Sequence, residues 1–184
     1  MATCHFANDN LDQCLAKLDE IEQRHSSSEI YDRSLNLRGD VLQAQTEWPA
    51  AREAYLKGKS LAEQAGHYQV AAEALSQLVP VAIAQEKYKE AADHYDDFIE
   101  SYPGNFLEPQ VVATALTALI HESVGRGEEG LSKLENIIDQ LGRQENADLE
   151  KAVTKYGEVS VKLLGGEKTV EKLKTMSTKG GQPD

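Results

Sequence analysis

The sequence predicts an all-α chain of about eight helices joined as antiparallel hairpins. Three observations carry this expectation. Apolar residues recur at three-and-four spacing almost continuously from Asn10 to Leu164, while the alternation typical of strands is nearly absent. Helix-opening and turn-forming residues interrupt that pattern at regular distances. One short phrase, an aromatic followed by Ala and then Tyr, returns after 40 residues.

The first helix carries Leu11, Cys14, Leu15, Leu18 and Ile21 on one face. Ser26-Ser27-Ser28-Glu29 interrupts it, and Ser26 with Glu29 three residues later matches a capping box that opens a second helix running to about Thr46. Trp48-Pro49 starts the third, because the missing N–H of a proline has no intrahelical partner in the first turn. Ala51, Ala54, Tyr55, Gly58 and Leu61 form its inner face, and Gly66 is a left-handed stop before His67-Tyr68. A fourth helix spans roughly Gln69 to Gln85, and a fifth runs from Tyr88 to Ser101 with Ala91, Ala92, Tyr95, Phe98 and Ile99 inward. Pro103-Gly104-Asn105 is a turn, Pro109 sits in the first turn of the sixth helix, and that helix ends near Gly125-Arg126-Gly127. The seventh carries Leu131, Leu134, Ile137, Ile138 and Leu141 and stops at Gly142; the eighth, about Asp148 to Leu164, carries Leu149, Ala152, Val153, Tyr156, Val159 and Leu163. Residues 1–166 are therefore expected to form a single helical-repeat domain, and 167–184 a polar tail in which Val170, Leu173 and Met176 mark one short turn or helix before a frayed end.

Composition narrows the class of partner. A chain of 184 residues, 40% hydrophobic and 27% charged, with 5 Pro and 13 Gly, is long enough to bury a core without staples. The balance of 19 Lys+Arg against 31 Asp+Glu gives a net charge of −12. An acidic body repels phosphate backbones and anionic lipid, which argues against nucleic acid and against a membrane surface. A basic peptide or protein face would be steered toward it, and solubility alone accounts for the same surplus of acid. The two cysteines, Cys4 and Cys14, form no dense disulfide framework, which suggests a reducing compartment with Cys14 as a core thiol. The start shows no basic stretch followed by an apolar run, and no segment approaches an uninterrupted membrane-spanning length, so a cytoplasmic protein is expected.

The repeat is most explicit where Trp48-Pro-Ala-Ala51-Arg-Glu-Ala-Tyr55 is set against Tyr88-Lys-Glu-Ala91-Ala-Asp-His-Tyr95. A third copy, Gly127-Glu-Glu-Gly130-Leu-Ser-Lys-Leu134, lies 39 residues further on, and a half copy, Leu11-Asp-Gln-Cys14-Leu-Ala-Lys-Leu18, lies 37 residues before Trp48. With Gly39, Val79 and Ala118 at the small position of the preceding helix, and Pro103 after the second pair, this arrangement resembles the tetratricopeptide repeat family over about residues 10 to 142. Units near 40 residues rather than the family's 34, Val79 at a small-residue position, and a third unit without its aromatic all depart from the family pattern. The resemblance implies an antiparallel helix-hairpin solenoid, a TPR-like α-α superhelix, in which small residues let paired helices approach and Tyr or Leu fills the pocket between pairs.

The same resemblance implies function: the first helices of successive pairs line a concave groove that holds a peptide or helix of a partner. In that register the groove-facing residues are Arg33, Asn36, Leu37, Asp40 and Gln43, then Glu73, Ser76, Gln77, Pro80 and Ile83, then Leu116, Leu119 and Glu122. Arg33, Asn36, Asp40, Gln43, Glu73, Gln77 and Leu116 are the expected partner-binding set, although polar residues on a helix face are equally accounted for by solvation. Some family members clamp a terminal carboxylate with Lys, Arg and Asn; here Asp40, Glu73 and Glu122 would repel one, so that clamp is not expected. Pro80 predicts a kink near Ser76.

Chemistry is not foreseen. Cys4, His5 and Cys14 fall short of a closed zinc site, and His67, His94 and His121 are scattered without a nucleophile phrase. Gly125-Arg-Gly-Glu-Glu-Gly130 is acidic where a phosphate would have to sit, so it is an interhelix turn and not a phosphate loop. No metal, no cofactor and no enzymatic activity are expected. The alternative to an adaptor or scaffold is a self-assembling structural module that forms homo-oligomers through its terminal helices.

Overall fold

The computed structural model describes residues 11–24, 28–102, 116–143 and 149–179, all of them in helices or the short connections between helices. In chain order these are α1 (Leu11–Arg24), α2 (Glu29–Ala44), α3 (Trp48–Ala65), α4 (Tyr68–Ala84), α5 (Tyr88–Ser101), α6 (described over 116–123), α7 (Gly127–Arg143), α8 (Leu149–Leu164) and α9 (Gly166–Lys179). Boundaries expected from capping and periodicity hold to within about two residues for most of them. Pro49 lies in the first turn of α3, and Gly66 closes that helix at φ 78°. The N-cap of α2 is Ser28; Ser26 of the expected capping box lies outside the described residues, as do Pro103 and Pro109.

Packing follows chain order. Helix α1 lies on α2, α2 on α3, α3 on α4, α4 on α5, α7 on α8 and α8 on α9, and α2 also touches α4. One core gathers Ala51, Tyr55, Ala62, Val70, Leu75, Leu78 and Phe98; a second gathers Ala118, Leu131, Leu134, Leu141, Ala152 and Tyr156; Val79, Ala82, Ala91, Ala92, Tyr95 and Ile120 form a third between them. Ala51 and Ala91, equivalent in the repeat, are both fully buried. Two glycines sit where helices approach closely. A Cβ on Gly39 would lie 2.5 Å from the Tyr55 ring, and one on Gly130 would lie 2.5 Å from the Ala118 backbone. Val79 is accommodated where the neighbouring pairs have Gly39 and Ala118, because it packs against Ala91 and Ala92.

The connections are nearly identical copies. Thr46, Gly66, Glu86 and Gly125 all take a left-handed backbone, at intervals of 20, 20 and 39 residues. In each turn the left-handed residue's N–H reaches the carbonyl three residues back, as Thr46 does to Gln43 at 2.9 Å and Glu86 to Ile83 at 2.9 Å. The next N–H reaches five back, as Glu47 does to Leu42 at 2.9 Å and Lys87 to Ala82 at 2.9 Å. These bonds satisfy the last carbonyls of each helix and reverse the chain in a few residues. Two turns meet the geometry with Gly and two without. Thr46 is the costlier exception, since a β-branched residue at φ 61° crowds its own backbone. Thr46→Gly is expected to raise the unfolding free energy by roughly 1 kcal/mol despite glycine's greater freedom in the unfolded chain. Urea denaturation measures this, and a lowered midpoint would show that unfolded-state entropy dominates.

Side chains tie elements about one repeat apart. Arg52 on α3 donates to Glu90 on α5 at 2.6 Å, and Tyr102 donates to Glu63 at 2.9 Å. Lys133 on α7 pairs with Asp96 on α5, and Lys172 on α9 pairs with Glu135 on α7. Of the short turn or helix expected in the polar tail, the structure has a helix. Helix α9 has 14 residues, buries Thr169 against Ser160 and rests Leu173 and Met176 on the second core. Helix α4 passes through Pro80 as one helix, and the Ser76 hydroxyl turns back to the Glu73 carbonyl at 2.7 Å.

Cys14 is buried on α1 and disulfide-bonded; the other cysteine, Cys4, lies outside the described residues. The expected free core thiol is therefore corrected, and with it the reason for assigning a reducing compartment. Among the described residues no helix is long and apolar enough to cross a membrane.

Candidate functional site: the face of α2 and α4

The three-and-four spacing of α2 presents two different faces. Leu35 and Gly39 turn inward onto α3, while Arg33, Leu37 and Asp40 retain exposure. Helix α4, one repeat later, keeps Glu73, Ser76, Gln77 and Pro80 half-buried around an otherwise apolar helix. Contact between α2 and α4 brings these faces side by side.

Arg33 and Glu73 meet across the two helices, with Nη1 and Oε2 3.5 Å apart. Glu29, one turn before Arg33, accepts from its Nε at 2.9 Å, and Gln69 Nε2 donates to Glu73 at 3.2 Å. Arg33 and Glu73 remain 46% and 40% exposed at the side chain, so this bridge lies at the surface and contributes little to stability. Its use is positional: it holds a guanidinium with five N–H donors between two carboxylates at the junction of two repeats.

Asp40 and Gln43 share one anchor. The Tyr55 hydroxyl, rising from α3, donates to Asp40 Oδ1 at 2.6 Å and lies 3.3 Å from Gln43 Oε1. Burial raises the Asp40 carboxyl above its ordinary range, and the tyrosine hydroxyl partly offsets this by donating to the ionised form. Burial also pushes the Tyr55 phenol far up, helped by the carboxylate beside it, so Tyr55 stays a donor at every physiological pH.

Asn36 is a correction. It was expected to line an open groove, yet it is 8% exposed and donates from Nδ2 to the Val70 carbonyl at 2.9 Å, while its Oδ1 sits over Gly58. The residue belongs to the inner face because 32, 35, 36 and 39 follow the three-and-four spacing of the buried side, and its buried amide finds an acceptor in a carbonyl in the first turn of α4. Gln77 is half-buried on α4, and Leu116 is half-buried on α6, away from the Arg33–Glu73 junction in the chain order of packing. The structure therefore joins Arg33 to Glu73 and Asp40 to Gln43, and removes Asn36 from the surface.

Sequence reasoning missed a buried acid. Asp32 is 4% exposed, and its Oδ2 lies 2.7 Å from Nδ1 of His67 in the turn between α3 and α4. The signal was available: Asp32 stands four residues before Asn36 and three before Leu35 on the inner face of α2. This pair staples α2 to the α3–α4 turn, and a buried carboxylate of this kind demands a partner. Among the described residues no group of three or more His, Cys, Asp or Glu side chains is placed to hold a metal ion.

The surface of α2 and α4 can accordingly offer hydrogen-bond donors and acceptors from Arg33, Gln43, Glu73 and Gln77 in an acidic field set by Glu29, Asp40 and Glu73. No protein-family model matches this chain, and no curated protein sequence matches it.

Proposed function

We propose that this chain is a TPR-like helical-repeat adaptor that holds a peptide or helix of a partner protein along the first helices of its hairpins, α2, α4 and α6. The observation that carries the reading is the Arg33–Glu73 contact, which sets equivalent faces of two repeats side by side with their polar groups outward. The four matching turns and the ties Arg52–Glu90, Asp96–Lys133 and Glu135–Lys172 support a regular stacking of hairpins. The carboxylates of Glu29 and Glu73 beside Arg33, with Asp40 further along α2, favour a basic segment, and the rim charges set its orientation and rate of encounter more than its affinity. Apolar anchors on the partner meet Leu37 on α2 and Leu116 on α6.

The test is capture from a peptide library of mixed charge. Selected sequences are expected to be rich in Lys and Arg, and Glu73→Lys with Gln77→Lys is expected to weaken their binding at least about tenfold while leaving helicity unchanged. Selection of acidic or uncharged peptides, or binding indifferent to both substitutions, would remove this face from the mechanism.

A further inference from the structure

We propose that His121 is a pH-sensitive latch: taking up a proton opens the seam that holds α6 between α5 and α7. The side chain is fully buried, and neither ring nitrogen has a hydrogen-bond partner among the described residues. Its ring stands edge-on to Tyr95 on α5, 6.3 Å between centroids and 82° between planes. Such a site tolerates a neutral imidazole and gives an imidazolium no acceptor.

The repeat shows what the position is for. The carbonyl of His121 accepts the N–H of Arg126 in the turn after α6, as the carbonyls of Leu42 and Ala82 accept the N–H of Glu47 and Lys87 in the two earlier turns. Leu42 and Ala82 both pack onto apolar cores. A titratable group therefore occupies a place that the preceding hairpins fill with hydrocarbon.

Its electrostatic surroundings oppose protonation. From the connection between α6 and α7 comes Arg126, from α7 come Glu129 and Lys133, and from α5 come Tyr95 and Asp96; the residues that α4 contributes to the adjoining cluster, Val79, Ala82 and Ile83, are apolar. Both carboxylates are already engaged. Asp96 accepts from Arg126 at 3.2 Å and from Lys133, while Glu129 accepts from Arg126 at 2.6 Å and lies 3.4 Å from Lys133. Turning either toward His121 would release two cations. Burial first, and then Arg126 and Lys133, hold the His121 imidazole below its ordinary value.

The sign follows from linkage. The unfolded or opened chain takes up the proton near pH 6.5, whereas the closed seam does so only at lower pH. Closure is thus fully favoured above pH 6.5 and weakens as pH falls toward the depressed value, with the opening constant rising by at most about tenfold per unit inside that window. His94 on α5 is also held low, by burial first, but its Nε2 faces Glu90 Oε1 at 3.4 Å, so it has a carboxylate to share its charge. Because α6 also carries Leu116, opening would withdraw the third hairpin from the binding face; that consequence rests on the proposed function, and the opening itself does not.

Native-state hydrogen exchange on the full chain tests the latch. Amides of residues 116–123, corrected for the intrinsic pH dependence of exchange, are expected to lose roughly fivefold in protection between pH 6.5 and 5.5 while those of α2 change little. His121→Leu, the residue of the first repeat, is expected to abolish the drop, and His94→Gln to retain it. A drop that persists in His121→Leu overturns the proposal. Should that variant fail to fold, the wild-type imidazole titration by NMR decides: an His121 value at or above 6.5 in the folded protein overturns the latch, and one well below it, coincident with the loss of protection, supports it.

Discussion

Tyr55→Ala is expected to lower the unfolding free energy by about 4 kcal/mol, within the range for deleting a fully buried aromatic side chain. For a chain of this size that corresponds to a fall in Tm of roughly 8–16 °C. The effect has two sources. The ring is fully buried in the first core and fills the space that Gly39 leaves on α2, so its loss creates a cavity between the paired helices. The hydroxyl is the donor shared by Asp40 and Gln43, so its loss leaves a partly buried carboxylate without it. Tyr55→Phe separates the two and is expected to cost about 1–2 kcal/mol. It should also push the Asp40 carboxyl further above its ordinary range, because the hydroxyl is what opposes the effect of burial. Thermal denaturation of both variants and an NMR titration of Asp40 check these outcomes; equal losses for Phe and Ala would mean that the cavity contributes nothing.

Two glycines of α7 should respond to the same substitution with opposite signs. A methyl group on Gly130 would sit 2.5 Å from the Cα of Ala118, and because the obstacle is backbone, α6 and α7 must move apart to admit it. Gly130→Ala is therefore expected to destabilise by about 2–3 kcal/mol despite alanine's better helix propensity. Gly142, near the end of the same helix, has nothing among the described residues within 4 Å of where its Cβ would lie. There alanine meets open space, and Gly142→Ala is expected to stabilise by roughly 0.5–1 kcal/mol. Chemical denaturation decides; an unchanged or raised midpoint for Gly130→Ala would mean that contact with Ala118 does not govern that position, and a lowered one for Gly142→Ala would mean that its site is not open.

Helix content and the repeat period were legible in the chain because they depend on local chemistry. Pro49 opens a helix through its missing N–H, Gly66 ends one through its left-handed backbone, and Ala51 and Ala91 are small because two helices meet there. Such constraints act within a few residues or repeat at a fixed interval, so they can be read without knowing what touches what. Thr46 and Glu86 take the same left-handed conformation without glycine, and only the bonds reaching back to Leu42 and Ala82 show that they belong to the same turn.

The candidate site was legible only in part. Arg33 and Glu73 were placed on one face by register, and their meeting follows from that register. Asn36 was placed there too, because periodicity locates a residue on a helix to within a fraction of a turn and its position borders the inner face. What put its amide under α4 was a carbonyl at Val70, 34 residues away. Asp32 with His67, and Lys172 with Glu135, are likewise long-range pairs of ordinary surface residue types.

By itself, then, the order of amino acids determined that this protein is helical, where most helices begin and end, and that a short phrase and its turns recur about every 40 residues, since propensity, capping and close helix contact are written locally. Which polar groups face water, which are consumed in binding one helix to the next, and which titratable ring is sealed in the core were decided only by tertiary structure. The physical reason is that burial and electrostatic environment are properties of neighbours brought together across tens of residues, and no local pattern encodes them.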